Sequence, residues 1–160
     1  MVHDMTEKQY PYVVYHLDRE RLDALEKQPC SNQEKVWFDQ YLAMLSNAPR
    51  IEDDQLEEYK LAASKERMKR KCESCKALMA AGLYQKVCSI DSKTAVDAIE
   101  MTNDINEVWY RKKRKGVVVH TEHPRSTTNY DVIERFGRAF LCMPLGFIDI
   151  EEQVYASGIV

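Results

Sequence analysis

Hydrophobic and polar positions alternate between two periods along this chain. Residues 10–17, YPYVVYHL, are rich in aromatic and β-branched side chains and read as a short strand. Residues 17–28 switch to a helical spacing, with Leu22 and Leu25 facing inward behind Asp18 as N-cap, and the Pro29 region ends the helix. SNQE at 31–34 is the clearest helix start: Ser31 accepts from a first-turn N–H while Glu34 reaches back, a capping box. Behind it Trp37, Phe38, Tyr41, Leu42 and Leu45 recur on one face, and NAP at 47–49 stops the helix.

Acidic residues at 53–58 open the next helix, where the helix dipole favours them. With no proline before Pro124, the pattern predicts a long helix over about 55–88, kinked at Gly82. A second runs over about 92–115, with Ala98, Met101, Ile105 and Val108 as its inner edge. Gly116 is the expected stop of that helix, and GVVVHT (116–121) reads as a strand suited to pair with residues 10–16. After Pro124, Thr128 and Asp131 offer a capping pair. The stretch NYDVIERFGRAFL then predicts a helix burying Val132, Ile133, Phe136 and Phe140. The last segment, from Leu145, fits either a strand or a short helix.

The expectation is therefore a mainly α protein with a minor β component: about five helices in a bundle or hairpin and a two- or three-stranded sheet. Only 5 glycines and 5 prolines in 160 residues support it, since sandwiches and barrels need many turns. Length and composition suit one domain over 1–160, a helical core at 17–115 followed by a strand–helix segment at 116–160. The start, MVHDMTEKQ, lacks the apolar stretch of a signal peptide, and no run approaches a membrane span of about 20 apolar residues. An intracellular, cytoplasmic protein without membrane contact is expected, with the nucleus as an alternative if the source is eukaryotic. The 5 cysteines, an odd number, then read as reduced thiols.

Charge is unevenly distributed. Residues 1–60 carry 7 Lys/Arg against 13 Asp/Glu, residues 61–115 carry 13 against 7, and residues 116–160 carry 3 against 6. The basic middle concentrates in KERMKRK (Lys65, Arg67, Lys69, Arg70, Lys71) and RKKRK (Arg111, Lys112, Lys113, Arg114, Lys115). If the two long helices pack antiparallel, both runs emerge at one end and form a patch for a partner or a phosphate backbone. Acidic ends that neutralise the basic middle account for the same distribution.

CESC at 72–75 is the sharpest chemical feature. Cys72 and Cys75 with His120 and His123 would make a tetrahedral zinc set. On a helical wheel, however, both cysteines fall within the apolar stripe of Leu61, Met68, Met79 and Leu83, where a free thiol behaves as a small hydrophobe. No phosphate-cradling glycine loop and no nucleophile elbow occurs, so no catalytic residues and no resident cofactor are expected.

The first functional expectation is a non-enzymatic intracellular helical binding protein, an adaptor, regulator or inhibitor working through protein–protein contacts, with homo-oligomers open to it. A nucleic-acid-associated protein using the two basic runs is the alternative. A small zinc-stabilised protein is the second alternative.

Overall fold

The computed structural model describes residues 10–28, 31–103, 116–122 and 124–156. Along the chain run β1 (Tyr12–Leu17), α1 (Arg19–Ala24), α2 (Asn32–Leu45), α3 (Glu57–Ala80), β2 (Tyr84–Ile90), α4 (Ala95–Met101), β3 (Val117–Val119), β4 (Val132–Arg135), β5 (Arg138–Met143), β6 (Gly146–Asp149) and β7 (Val154–Tyr155). The strands form one antiparallel sheet in the order β3-β2-β1-β4-β5-β6-β7. The described residues thus hold four helices and seven strands, and the mainly α expectation with a two- or three-stranded sheet is wrong.

Three local decisions account for the difference. α3 is a run of good helix formers with Glu57 and Glu58 in its first turn, but it does not continue to residue 88. Gly82 adopts φ +79, Leu83 N–H donates to Leu78 O at 3.0 Å and Gly82 N–H to Met79 O at 3.1 Å. That is a Schellman stop, and the chain leaves it as β2. The bundle reading treated Gly82 as a kink, whereas it is an end.

The second decision lies at residues 132–143, where the apolar spacing suggests a helix. Phe136 and Gly137 instead take φ 47 and φ 82, the positive pair that two-residue hairpin turns favour. Val132, Ile133, Glu134 and Arg135 then lie opposite Leu141, Phe140, Ala139 and Arg138. The third concerns pairing: β3 forms, but its partner is β2 rather than β1, because β1 is already flanked by β2 and β4. The ambiguous C-terminal segment resolves into β6 and β7. α4 is also shorter than predicted, running from a Thr94 cap to Met101; Ile105 and Val108 of the predicted helix lie outside the described residues.

Several signals hold as read. Asp18 Oδ1 accepts from Arg21 N–H at 3.2 Å, and the Ser31/Glu34 capping box is complete in both directions at 3.2 Å. The inner face of α2 is rotated from the predicted stripe, with Tyr41 and Met44 buried and Leu42 exposed. Tyr41 donates to Asp23 Oδ1 at 2.9 Å, and burial followed by that carboxylate raises its phenol to about 12.

The chain divides into two compact units. Asp18–Leu83 with Ile150–Val154 is the helical one, and the sheet unit holds β1 and the strands from β2 to β6. In the sheet unit, Tyr12, Val14, Val87, Cys88, Ile90, Ile133, Phe140 and Cys142 pack with Ala95 and Ala98 of α4. Val87 and Cys88 are neighbours in sequence yet share this core. A bulge lets β1 pass from Val14↔Cys88 to Tyr15↔Lys86, leaving Val87 as the extra residue. Among the described residues no helix is long and apolar enough to cross a membrane.

Candidate functional site

The basic run of α3 is largely engaged in holding the helical unit together. Lys71, only 4 % exposed, donates from Nζ to Met44 O at 2.7 Å and Ser46 O at 3.0 Å. A cation is thereby placed on the carbonyls that end α2, where the helix dipole favours it. Lys71 is thus an internal cation and not part of a surface patch. Arg67 Nη2 donates to Pro49 O at 2.9 Å, and Arg70 pairs with Glu66 one turn back at 3.0 Å. Lys65 and Lys69 are the exposed members without an ion pair among the described residues. Arg111, Lys112, Lys113, Arg114 and Lys115 lie outside the described residues, as does His123.

Cys72 and Cys75 are fully buried on α3. Cys88 and Cys142 are buried on β2 and β5, and burial pushes the Cys88 thiol up to about 12, where no thiolate forms at neutral pH. Among the described residues no group of three or more His, Cys, Asp and Glu is arranged to hold a metal ion.

His120 has a different partner from the one its sequence suggests. Val119 follows the α4 side of the sheet, so His120 turns to the opposite face, as does Ser89 between the core residues Cys88 and Ile90. Ser89 pairs with Val118 across the ladder, and His120 N–H donates to Val87 O at 2.7 Å. These contacts set Ser89 Oγ 2.8 Å from His120 Nε2. Desolvation, with Lys86 as the second cause, lowers the imidazole below its usual 6.5, so it stands neutral at pH 7. Ser89 is buried and His120 exposed. Sequence reasoning missed the pair because Ser89 fell between the two predicted long helices, with no strand there to pair with residues 116–121.

The β4–β5 hairpin presents a second unforeseen feature. Phe136 is 77 % exposed at the turn. The Arg135 guanidinium lies 5.5 Å from the Tyr12 ring centroid and 5.6 Å from that of Phe136. Across the ladder Arg138 lies over Phe140 at 6.0 Å and pairs with buried Asp149. The one signal in the sequence was Phe-Gly between two arginines, a glycine at the turn in a stretch whose apolar spacing also suits a helix.

One more polar cluster is internal. His16 Nε2 is 2.9 Å from Thr127 Oγ1, Thr127 Oγ1 is 2.7 Å from Thr102 Oγ1, and Thr102 Oγ1 is 2.9 Å from Ile99 O. One ordering satisfies all three contacts: His16 donates to Thr127, Thr127 to Thr102, and Thr102 to the carbonyl. All three side chains are buried, and the chain ties residues 124–131 to the end of α4. It reads as scaffold, because each group has a partner inside the protein. No family model, curated protein or solved structure matches this chain.

Proposed function

We propose that this protein is a binding protein, an adaptor, regulator or inhibitor, that engages a protein partner through the tip of the β4–β5 hairpin. The observation that supports it is Phe136, which combines a left-handed backbone at φ 47 with 77 % exposure. Such turns favour Asn, Asp or Gly, and a bulky residue there costs about 1–3 kcal/mol without burying its ring. Folding gives little reason for Phe at this position beyond the Arg135 contact, whereas recognition does. Aromatic side chains and arginines dominate binding hot spots. Arg135 stacks against the ring and restricts it, lowering the entropy lost on docking. The matching surface is an apolar pocket with an acidic rim.

A phosphate-backbone role has less support. Arg138 is paired with Asp149, and Lys71, Arg67 and Arg70 hold other groups of the protein.

The test replaces Phe136 with a photoreactive aromatic and crosslinks in extract of the native host. The captured protein is then purified and titrated. Phe136→Asn should weaken that binding on the order of 30-fold, the ~2 kcal/mol of a hot-spot aromatic, with melting unimpaired. Equal affinity for the wild type and the variant overturns the reading.

A further inference from the structure

We infer that Ser89 is an acyl-accepting nucleophile, with His120 as its general base, acting on carboxylic esters that reach the pair from the side of the exposed His120. This goes beyond the binding role and does not depend on it. A nucleophile–base pair is recognised by side chains within about 2.6–3.2 Å, and Ser89 Oγ and His120 Nε2 meet at 2.8 Å. The pair is fixed by backbone on both sides. The β2–β3 ladder places Val118 opposite Ser89, and the N–H of His120 itself is bonded to Val87 O. The backbones that carry the two side chains are therefore held in register, which is part of what a preorganised base requires. In the Nδ1–H tautomer of the neutral imidazole, the one a general base requires, Ser89 Oγ donates to Nε2.

Lys86 of β2 supplies a third element. It lies opposite Tyr15, two residues along β1 from the Val13 that lies opposite Ser89, so its ammonium is carried on the same face as Ser89. Tyr15 of β1 lies opposite Lys86 in the ladder, and Glu134 of β4 lies opposite Val13, the partner of Ser89. The chemistry-bearing residues of four adjacent strands thus share one face of the sheet, away from α4.

The step balances without a further reagent. Ser89 Oγ bonds to the ester carbonyl carbon as its proton passes to His120 Nε2, and the carbonyl pair moves to oxygen beside the Lys86 ammonium. Collapse breaks the C–O bond to the alkoxide, which takes the proton from the imidazolium and leaves as the alcohol. Water then attacks the acyl-serine by the same proton path, releasing the carboxylic acid and restoring Ser89.

The test uses the full chain with a fluorophosphonate probe and with p-nitrophenyl acetate, in buffer containing EDTA so that no metal occupies His120. Stoichiometric probe labelling should map to Ser89 by peptide mass spectrometry and vanish in Ser89→Ala. It should slow on the order of 10²-fold in His120→Gln, the range of general-base effects. Lys86→Met should slow both reactions while leaving circular dichroism and melting unchanged, which separates charge stabilisation from folding. No labelling of the wild type, labelling that persists in Ser89→Ala, or a rate unaffected by His120→Gln in a folded protein overturns the inference.

Discussion

Asp131 and Arg125 meet through two parallel hydrogen bonds, at 2.6 and 2.7 Å, with the carboxylate wholly buried. The same carboxylate accepts from Leu17 N–H at 2.9 Å and Thr128 N–H at 2.8 Å, while Arg125 also donates to Leu17 O at 2.9 Å. Two side chains therefore fasten the end of β1 to the segment entering β4. Removing one partner of a buried pair costs about 3–5 kcal/mol, because the other charge and the freed backbone donors are left behind. Asp131→Ala is expected near the lower end of that range, since Arg125 is partly exposed and regains water. Urea unfolding measures this, and a loss below ~1 kcal/mol would contradict the role assigned to the pair.

Lys71 gives a second stability prediction. Hydrogen bonds from a charged donor contribute about 1.5–3 kcal/mol. Burying the ammonium offsets part of that, so Lys71→Met should destabilise by about 1–2 kcal/mol. Lys69→Met, two residues away but exposed, should stay within about 0.5 kcal/mol. Thermal melts of the pair separate a structural cation from a surface one. Equal effects would mean that the carbonyls of Met44 and Ser46 do not need it.

Legibility in the sequence followed the range of the interactions. The caps at Asp18 and Ser31 were readable because donor and acceptor lie within three residues. The sheet was not, because its ladders join residues far apart, such as Val14 with Cys88 and with Ile133. Residues 132–143 carry apolar side chains compatible with either period, and only the positive φ at Phe136 and Gly137 selects the hairpin. Charge misled in a similar way. Lys71 belongs to a run that looks like solvated surface, and its role appears only once the end of α2 is beside it. Ser89 and His120 are linked by strand pairing alone.

The strain at Phe136 predicts a stabilising substitution. Asn tolerates the left-handed region better than an aromatic residue, and Phe136 has little burial to lose. Phe136→Asn should raise stability by about 0.5–1 kcal/mol, visible as a higher melting temperature. Gly137→Ala should lower it by about 1–2 kcal/mol at φ 82, although a Cβ there meets nothing within 4 Å, so the cost is conformational. If Phe136→Asn destabilises instead, the ring contributes to folding and its retention needs no binding partner.

The buried thiols predict a reactivity pattern. Cys72, Cys75, Cys88 and Cys142 are buried, and Cys88 titrates only near 12. In the native protein at pH 8 none of these four should react with iodoacetamide within minutes, and all should react in denaturant. Peptide mapping reads each site. If chelator alone exposed Cys72 and Cys75 to alkylation, they would be metal ligands rather than part of the packed interior.

His120 sets the sign of one pH dependence. Desolvation, then Lys86, holds its folded value below 6.5, while the unfolded chain titrates near 6.5. Above that value both states are neutral and the residue contributes no slope. As pH falls through 6.5 the unfolded state takes up the proton first, so unfolding becomes easier until the folded value is also passed. Protonation also makes Nε2 a donor, so that it can no longer accept from Ser89 Oγ. Stability should therefore decline between pH 7 and pH 5.5 by a modest amount, since His120 is largely solvated. His120→Gln should remove this contribution while leaving the slope due to carboxylates. Urea midpoints at pH 7.5, 6.5 and 5.5 for both proteins measure the difference. Identical dependence in the two would show that His120 is equally basic in the folded and unfolded chains.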